Sequence, residues 1–363
     1  MTGPAADAEC VELAPGYRIH RLINGCWQLS AGHGTWRLDA GDGRGTREAA
    51  LGRLEALFDE GRTTYDCADI YTGVEELLGE LRRRIVARTG DPGAIQVHTK
   101  LVPDRSVLPR VDRRYVERIV DRSLRRLGVE RLDLVQFYWW DEEVPGCVDA
   151  YGWLHELRRA GKIRLLGVTN FCARRLRELL DAGLAVHTAQ VQYSLLDRRP
   201  ARSLEALARE HGVALLAYGA LAGGFLGARF LGAPPPADDE NRSQTKYRLV
   251  IEEAGGWDAF QDLLVRLDRV ARRHDATIAA VAIRWILDRP AVAAALVGAS
   301  PRTVRPLDPL DPLDPLACAL DDEDRDLLDG AALRELRGDV YELEREPGGR
   351  HAAIMRYDLN RDV

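Results

Sequence analysis

Leu132-Asp133-Leu134-Val135-Gln136-Phe137-Tyr138 is an apolar-rich run of strand length, and Arg164-Leu165-Leu166-Gly167-Val168-Thr169 is another. Between them, residues 148–160 carry helical spacing and stop at Gly161, a residue suited to the turn that closes a helix. Two strands separated by a helix-length crossover read as a parallel pair, because parallel pairing needs a connection of a dozen residues or more.

The same unit repeats outward in both directions. Toward the N-terminus come strands at 95–100, 63–68 and 23–29, with helices at 115–127, 75–86 and 47–60. Toward the C-terminus come a helix at 173–182, strands at 188–193 and 214–219 with a helix at 202–211 between them, then a helix at 277–288 and an eighth strand at 294–298. Eight successive β→α units predict an α/β protein built as a closed (β/α)8 TIM barrel. The competing open, doubly wound sheet usually announces itself by G-x-G-x-x-G after its first strand, and no such turn is present.

The expected layout is an N-terminal extension at 1–17, the barrel at 18–333 and a tail at 334–363. Three segments interrupt the repeat. A long connection follows the seventh strand at 219–256, with Pro234-Pro235-Pro236 and Asp238-Asp239-Glu240 in it. A Pro-Leu-Asp repeat at 306–316 cannot be helical, since proline recurs every third residue. The polar, charged tail is expected to be irregular. With 363 residues and 46% hydrophobic content, the chain is large enough for one such barrel.

The net charge of −6, without a long basic run, argues against a nucleic-acid partner. No apolar run approaches the ~20 residues a membrane span requires. The first ten residues lack the basic and apolar regions of a secretory leader, so the expected location is cytoplasmic. Six cysteines include no C-x-x-C pair, and no metal site is expected.

Catalytic groups in such barrels lie at the C-terminal ends of the strands. Asp66 falls near the end of the second strand, Lys100 ends the third and Tyr138 the fourth, while Tyr71 follows in the loop after Asp66. Neighbouring strands are ~4.8 Å apart, so these side chains can converge in the barrel mouth. A strand-end Asp–Lys pair is by itself as readily a structural ion pair, and a lone loop tyrosine usually packs. Their meeting on consecutive strand ends favours chemistry. A tyrosine is a weak acid at pKa ~10, and a nearby ammonium is expected to pull that value down. Asp66 would orient and balance Lys100. The product is a proton donor beside a carbonyl that accepts hydride.

Several ordered motifs then resemble the aldo-keto reductases. They are Asp66-Cys67-Ala68-Asp69-Ile70-Tyr71 (D-x-A-D-x-Y), His98-Thr99-Lys100, Leu132 through Gln136, Gly161-Lys162-Ile163-Arg164 with Gly167-Val168-Thr169-Asn170-Phe171, Gln190-Val191-Gln192-Tyr193, and Tyr218-Gly219-Ala220-Leu221. The resemblance covers roughly residues 18–299. It implies an NAD(P)H-dependent oxidoreductase that reduces a small-molecule aldehyde or ketone, with Tyr71 as proton donor supported by Lys100 and Asp66. It also implies that Thr169, Asn170 and Gln190 bond the nicotinamide carboxamide and that Tyr218 stacks on its ring. Gly219, Leu221, Ser300 and Arg302 would complete the cofactor contacts, with Arg242 and Lys246 as further candidates for the pyrophosphate. NADPH is the expected form, Arg302 or Arg305 meeting a 2′-phosphate.

Two features depart from the family pattern. Tyr138 stands where the family usually has histidine, and a Glu-Asn pair that clamps the adenosine half is missing after the eighth strand. These keep two other readings open: a non-redox lyase or isomerase on the same scaffold, and a cofactor-binding regulatory protein with weak catalysis.

Overall fold

The structure is a computed structural model that describes residues 9–30, 47–239, 241–299, 315–356 and 358–360. An antiparallel hairpin opens it, β1 (Cys10–Ala14) and β2 (Tyr17–His20). Eight strands follow: β3 (Leu22–Gly25), β4 (Thr64–Asp66), β5 (Gln96–Leu101), β6 (Leu132–Phe137), β7 (Ile163–Thr169), β8 (Thr188–Gln192), β9 (Ala214–Tyr218) and β10 (Val292–Gly298). Each pairs in parallel with the next, and β10 pairs with β3 to close the barrel. The first strand is shorter than expected. After Gly25 the chain leaves the ladder, and Leu29 N–H donates to Cys26 O at 3.0 Å to form a 3-10 turn.

Crossover helices cover the outside: α1 (Arg47–Asp59), α2 (Val74–Thr89), α3 (Arg113–Leu127), α4 (Cys147–Arg159), α5 (Ala173–Asp181) and α6 (Leu204–Glu210). The long connection after β9 is more ordered than a loop. It holds α7 (Arg242–Glu253), capped by Asn241, whose side chain accepts from Gln244 N–H at 3.1 Å. Then come α8 (Gly256–Arg273) and α9 (Ile278–Leu287), and after β10 α10 (Asp322–Asp329), α11 (Glu342–Arg345) and α12 (Arg350–Ala353). Among the described residues, no helix is long and apolar enough to cross a membrane.

Side chains alternate along each strand, so every second residue points into the barrel. The lower interior is apolar, built from Ile23, Leu134, Leu165, Leu216 and Ala294. Tyr17 and Ile19 of the hairpin close it from below, so part of the expected N-terminal extension is the barrel's floor. Across the ladder from Leu134 lies His98, fully buried, its Nε2 3.1 Å from the Tyr17 hydroxyl. Polar residues fill the next step: two residues on from His98 is Lys100, and two on from Leu134 is Gln136, paired with it across the ladder. The barrel is therefore apolar below and polar at its C-terminal mouth.

The tail crosses that mouth. Asp104 Oδ1 accepts from the backbone N–H groups of Leu359 and Asn360 at 2.7 and 2.8 Å, and Asn360 Nδ2 donates to Val102 O at 2.6 Å. Tyr341 and Glu344 are buried there.

Candidate active site

Asp66 is the last residue of β4 and is buried. One carboxylate oxygen receives Lys100 Nζ. The other accepts from Gln136 Nε2 at 2.9 Å and from Gln190 Nε2 at 2.7 Å. Lys100 Nζ also donates to Cys67 O at 2.8 Å. Burying two opposite charges is tolerable only when each is paired and hydrogen-bonded, and here both are. Burial alone would push Lys100 down, but the charge of the Asp66 carboxylate and its hydrogen bond more than reverse this and hold it cationic.

Tyr71 sits in the turn after β4, its backbone N–H donating to Ala68 O at 3.0 Å. Lys100 Nζ lies 5.2 Å from the centre of its ring. The expectation of a lowered pKa is corrected here. Burial pushes the phenol up to about 12, and the Lys100 ammonium only limits the rise. The consequence is an acid that stays protonated throughout the ordinary pH range. His98, one step below, is pushed down to about 4 by burial and is neutral.

Tyr138 follows β6 and is 2% exposed. Its ring packs edge-on to Trp140 at 4.6 Å and to Tyr341 of the tail at 6.0 Å. The Arg345 guanidinium lies 5.6 Å from its centre. Burial raises the Tyr138 hydroxyl to about 12, and the Arg345 guanidinium beside it pulls the other way by charge and hydrogen bonding. A cleft of roughly 530 Å³ opens beside it, between the loop after β6 and the tail, with Trp140, Glu142, Cys172 and Val340 in its lining.

The opposite rim holds the amides. Thr169 ends β7 and is buried. Asn170 follows in the left-handed region at φ 58°, its backbone N–H donating to Gln190 O at 2.8 Å. Its side-chain Oδ1 accepts from the Tyr218 hydroxyl at 2.8 Å. Tyr218 ends β9, and Gly219 after it adopts φ 75°; a Cβ there would overlap the Tyr247 hydroxyl, so this turn requires glycine. Leu221 lies in the same turn, whose Ala222 N–H donates to Gly219 O at 2.8 Å. Lys246 Nζ lies 5.2 Å from the Tyr218 ring centre and 3.6 Å from Glu344 Oε1, while Arg242 donates to Ile354 O. Both cations thus face the tail. Ser300, Arg302 and Arg305 lie outside the described residues, as does the proline repeat up to position 314.

A nicotinamide carboxamide needs an acceptor for its NH2 and a donor for its oxygen. With Gln190 Nε2 given to Asp66 and Asn170 Oδ1 given to Tyr218, Gln190 Oε1 and Asn170 Nδ2 remain as that complementary pair. The amides on this rim therefore fit the group. Sequence reasoning did not single out Gln136, Tyr341 or Arg345. A polar residue inside the apolar run 132–137 was a readable signal for Gln136; the two tail residues carry no local one.

The closed parallel barrel thus carries at its mouth a buried carboxylate–ammonium pair, a tyrosine beside it and the amide side chains of Asn170 and Gln190. The Aldo/keto reductase family model matches residues 31–304, and the chain belongs to that family. A flagellar radial spoke protein 5 of Chlamydomonas reinhardtii is 31% identical over 276 residues, 65% of this chain and 51% of that protein, so the match spans about half of the relative. An aldo-keto reductase of Bacillus subtilis, YhdN, is 28% identical over 263 residues, 70% of this chain and 76% of its own. In fold, the chain is similar to a glycerol dehydrogenase from Gluconobacter oxydans, with a TM-score of 0.69 at 23% identity over 89% of this chain and 94% of that one.

Proposed function

We propose that this chain reduces an aldehyde or ketone to the alcohol with NADPH, Tyr71 giving the proton. The observation that carries this is the Tyr71 ring against the paired Lys100 and Asp66, the latter also bonded by Gln190 from the opposite side of the barrel mouth. A bound nicotinamide supplies the hydride. Asn170 and Gln190 orient the carboxamide, Thr169 borders it and Tyr218 offers a ring face. Tyr71 donates its phenol proton to the carbonyl oxygen as negative charge develops there, and the phenolate left behind is stabilised by the Lys100 ammonium. Tyr138, buried beside Arg345, is a second donor to the same oxygen. The substrate is a small-molecule aldehyde or ketone.

Preference for NADPH over NADH rests on Arg302 and Arg305, whose guanidinium groups suit a 2′-phosphate, with Ser300 beside them. A cytoplasmic location is supported by six free cysteines. Absorbance at 340 nm with a panel of carbonyls tests the reading: oxidation of NADPH faster than NADH supports it, and no oxidation of either refutes it. One observation favours a second reading. An uncharged tyrosine at 138, in place of the usual histidine, fits non-redox lyase or isomerase chemistry, or a regulatory cofactor binder. A chain that binds no NADPH supports the former, and tight binding without turnover the latter.

A further inference from the structure

Arg345 comes from the tail, 175 residues beyond Asn170, yet its Nη2 donates to the Asn170 carbonyl at 2.7 Å. Its Nη1 donates to Glu142 Oε1 at 3.0 Å, on the loop after β6. The guanidinium carbon also lies 5.6 Å from the ring centres of both Tyr138 and Tyr341. One side chain thus touches the rim's amide end and its phenol.

Asn170 needs such support. Its left-handed backbone is unfavourable for a residue with a side chain and persists only where surroundings hold it. Its peptide is held on both sides, by Gln190 O at the N–H and by Arg345 at the carbonyl. Arg345 is itself fixed. The preceding residue, Glu344, is buried against Arg199 at 3.4 Å and Lys246 at 3.6 Å, which locks the short α11 in place. A guanidinium can span Asn170 and Glu142 with separate nitrogens, which a lysine ammonium cannot do in the same geometry.

We propose that Arg345 is a positioning residue: it sets Asn170 for the nicotinamide carboxamide and Tyr138 for the carbonyl oxygen, making the tail part of the site. This rests on the reductase reading above. The test uses the full chain and measures NADPH affinity by quenching of intrinsic fluorescence, kcat and KM at 340 nm, and the thermal midpoint. The variants are Arg345→Met and Arg345→Lys, with Asn170→Ala as control. Loss of one charge-assisted hydrogen bond predicts NADPH binding weaker on the order of tenfold in Arg345→Met, with kcat reduced and carbonyl KM changed less. Arg345→Lys, which keeps the charge, should fold as wild type yet recover only part of the affinity. Should Arg345→Met fail to fold, the lysine variant decides alone. Wild-type affinity and kcat in either folded variant, with binding lost in Asn170→Ala, overturn the role of Arg345 only. A wild-type chain that takes up neither NADPH nor NADH overturns the reductase reading instead.

Discussion

Around Tyr71 two effects oppose each other, and burial outweighs the neighbouring ammonium. The residue therefore acts as a protonated donor whose phenolate is stabilised only as it forms, and reduction should show no basic limb from Tyr71 below about pH 10. Tyr71→Phe should bind NADPH as wild type but lose reduction by ~10²–10⁴-fold, the usual worth of a general acid. Tyr138 allows a second test, because its hydroxyl is buried at the rim. Tyr138→Phe should fold as wild type while kcat falls by up to ~10²-fold. Unchanged turnover in the folded variant would remove Tyr138 from the chemistry. Asp66 and Lys100 were legible because they fall at or beside strand ends, and Tyr71 because it follows in the loop directly after β4. The sign of the Tyr71 shift was not, since it depends on how deeply the rim encloses the ring.

The alternation of strands and helices was legible for a physical reason: each crossover helix is amphipathic, and several end at a glycine such as Gly128, at φ 66°. Less legible were α7, hidden in the connection at 219–256 whose prolines and acidic run suggest a loop, and α8 directly after it, for which no helix was expected. Within β7, Gly167 sits opposite Thr188 on β8, and a Cβ there would overlap the threonine side chain and lie 2.8 Å from its carbonyl oxygen. Gly167→Ala should destabilise the chain by ~1–3 kcal/mol, read as a lower urea midpoint, because backbone cannot move aside as a flexible side chain can. An unchanged midpoint would mean that β7 and β8 are farther apart than described.

For the whole molecule, what local patterns missed was long-range closure. The hairpin shuts the barrel floor through Tyr17 and Ile19, and the tail shuts the rim through contacts with residues far back in the chain, where no periodicity marks them. Asp69 lies under the tail, with Asn360 Nδ2 at 3.1 Å and Arg122 at 3.6 Å. Burial, then the Glu75 carboxylate, push it up to about 7 despite those partners. The folded chain thus binds this proton more tightly than the unfolded one, whose aspartate titrates near ~3.9. Its contribution to stability is full below about pH 4 and is lost as pH rises through about 7. The thermal midpoint of Asp69→Asn should lack that part of the decline between pH 4 and 7; parallel declines in both proteins would contradict the assignment. The most direct test of the central claim follows deuterium from NADPH labelled at the nicotinamide C4 into the alcohol product, in wild type and in Tyr71→Phe matched for cofactor binding. Label at the carbinol carbon in wild type, with transfer at least a hundredfold slower in the variant, is the predicted result. Equal transfer by both proteins, or no transfer by wild type to any carbonyl, would contradict it.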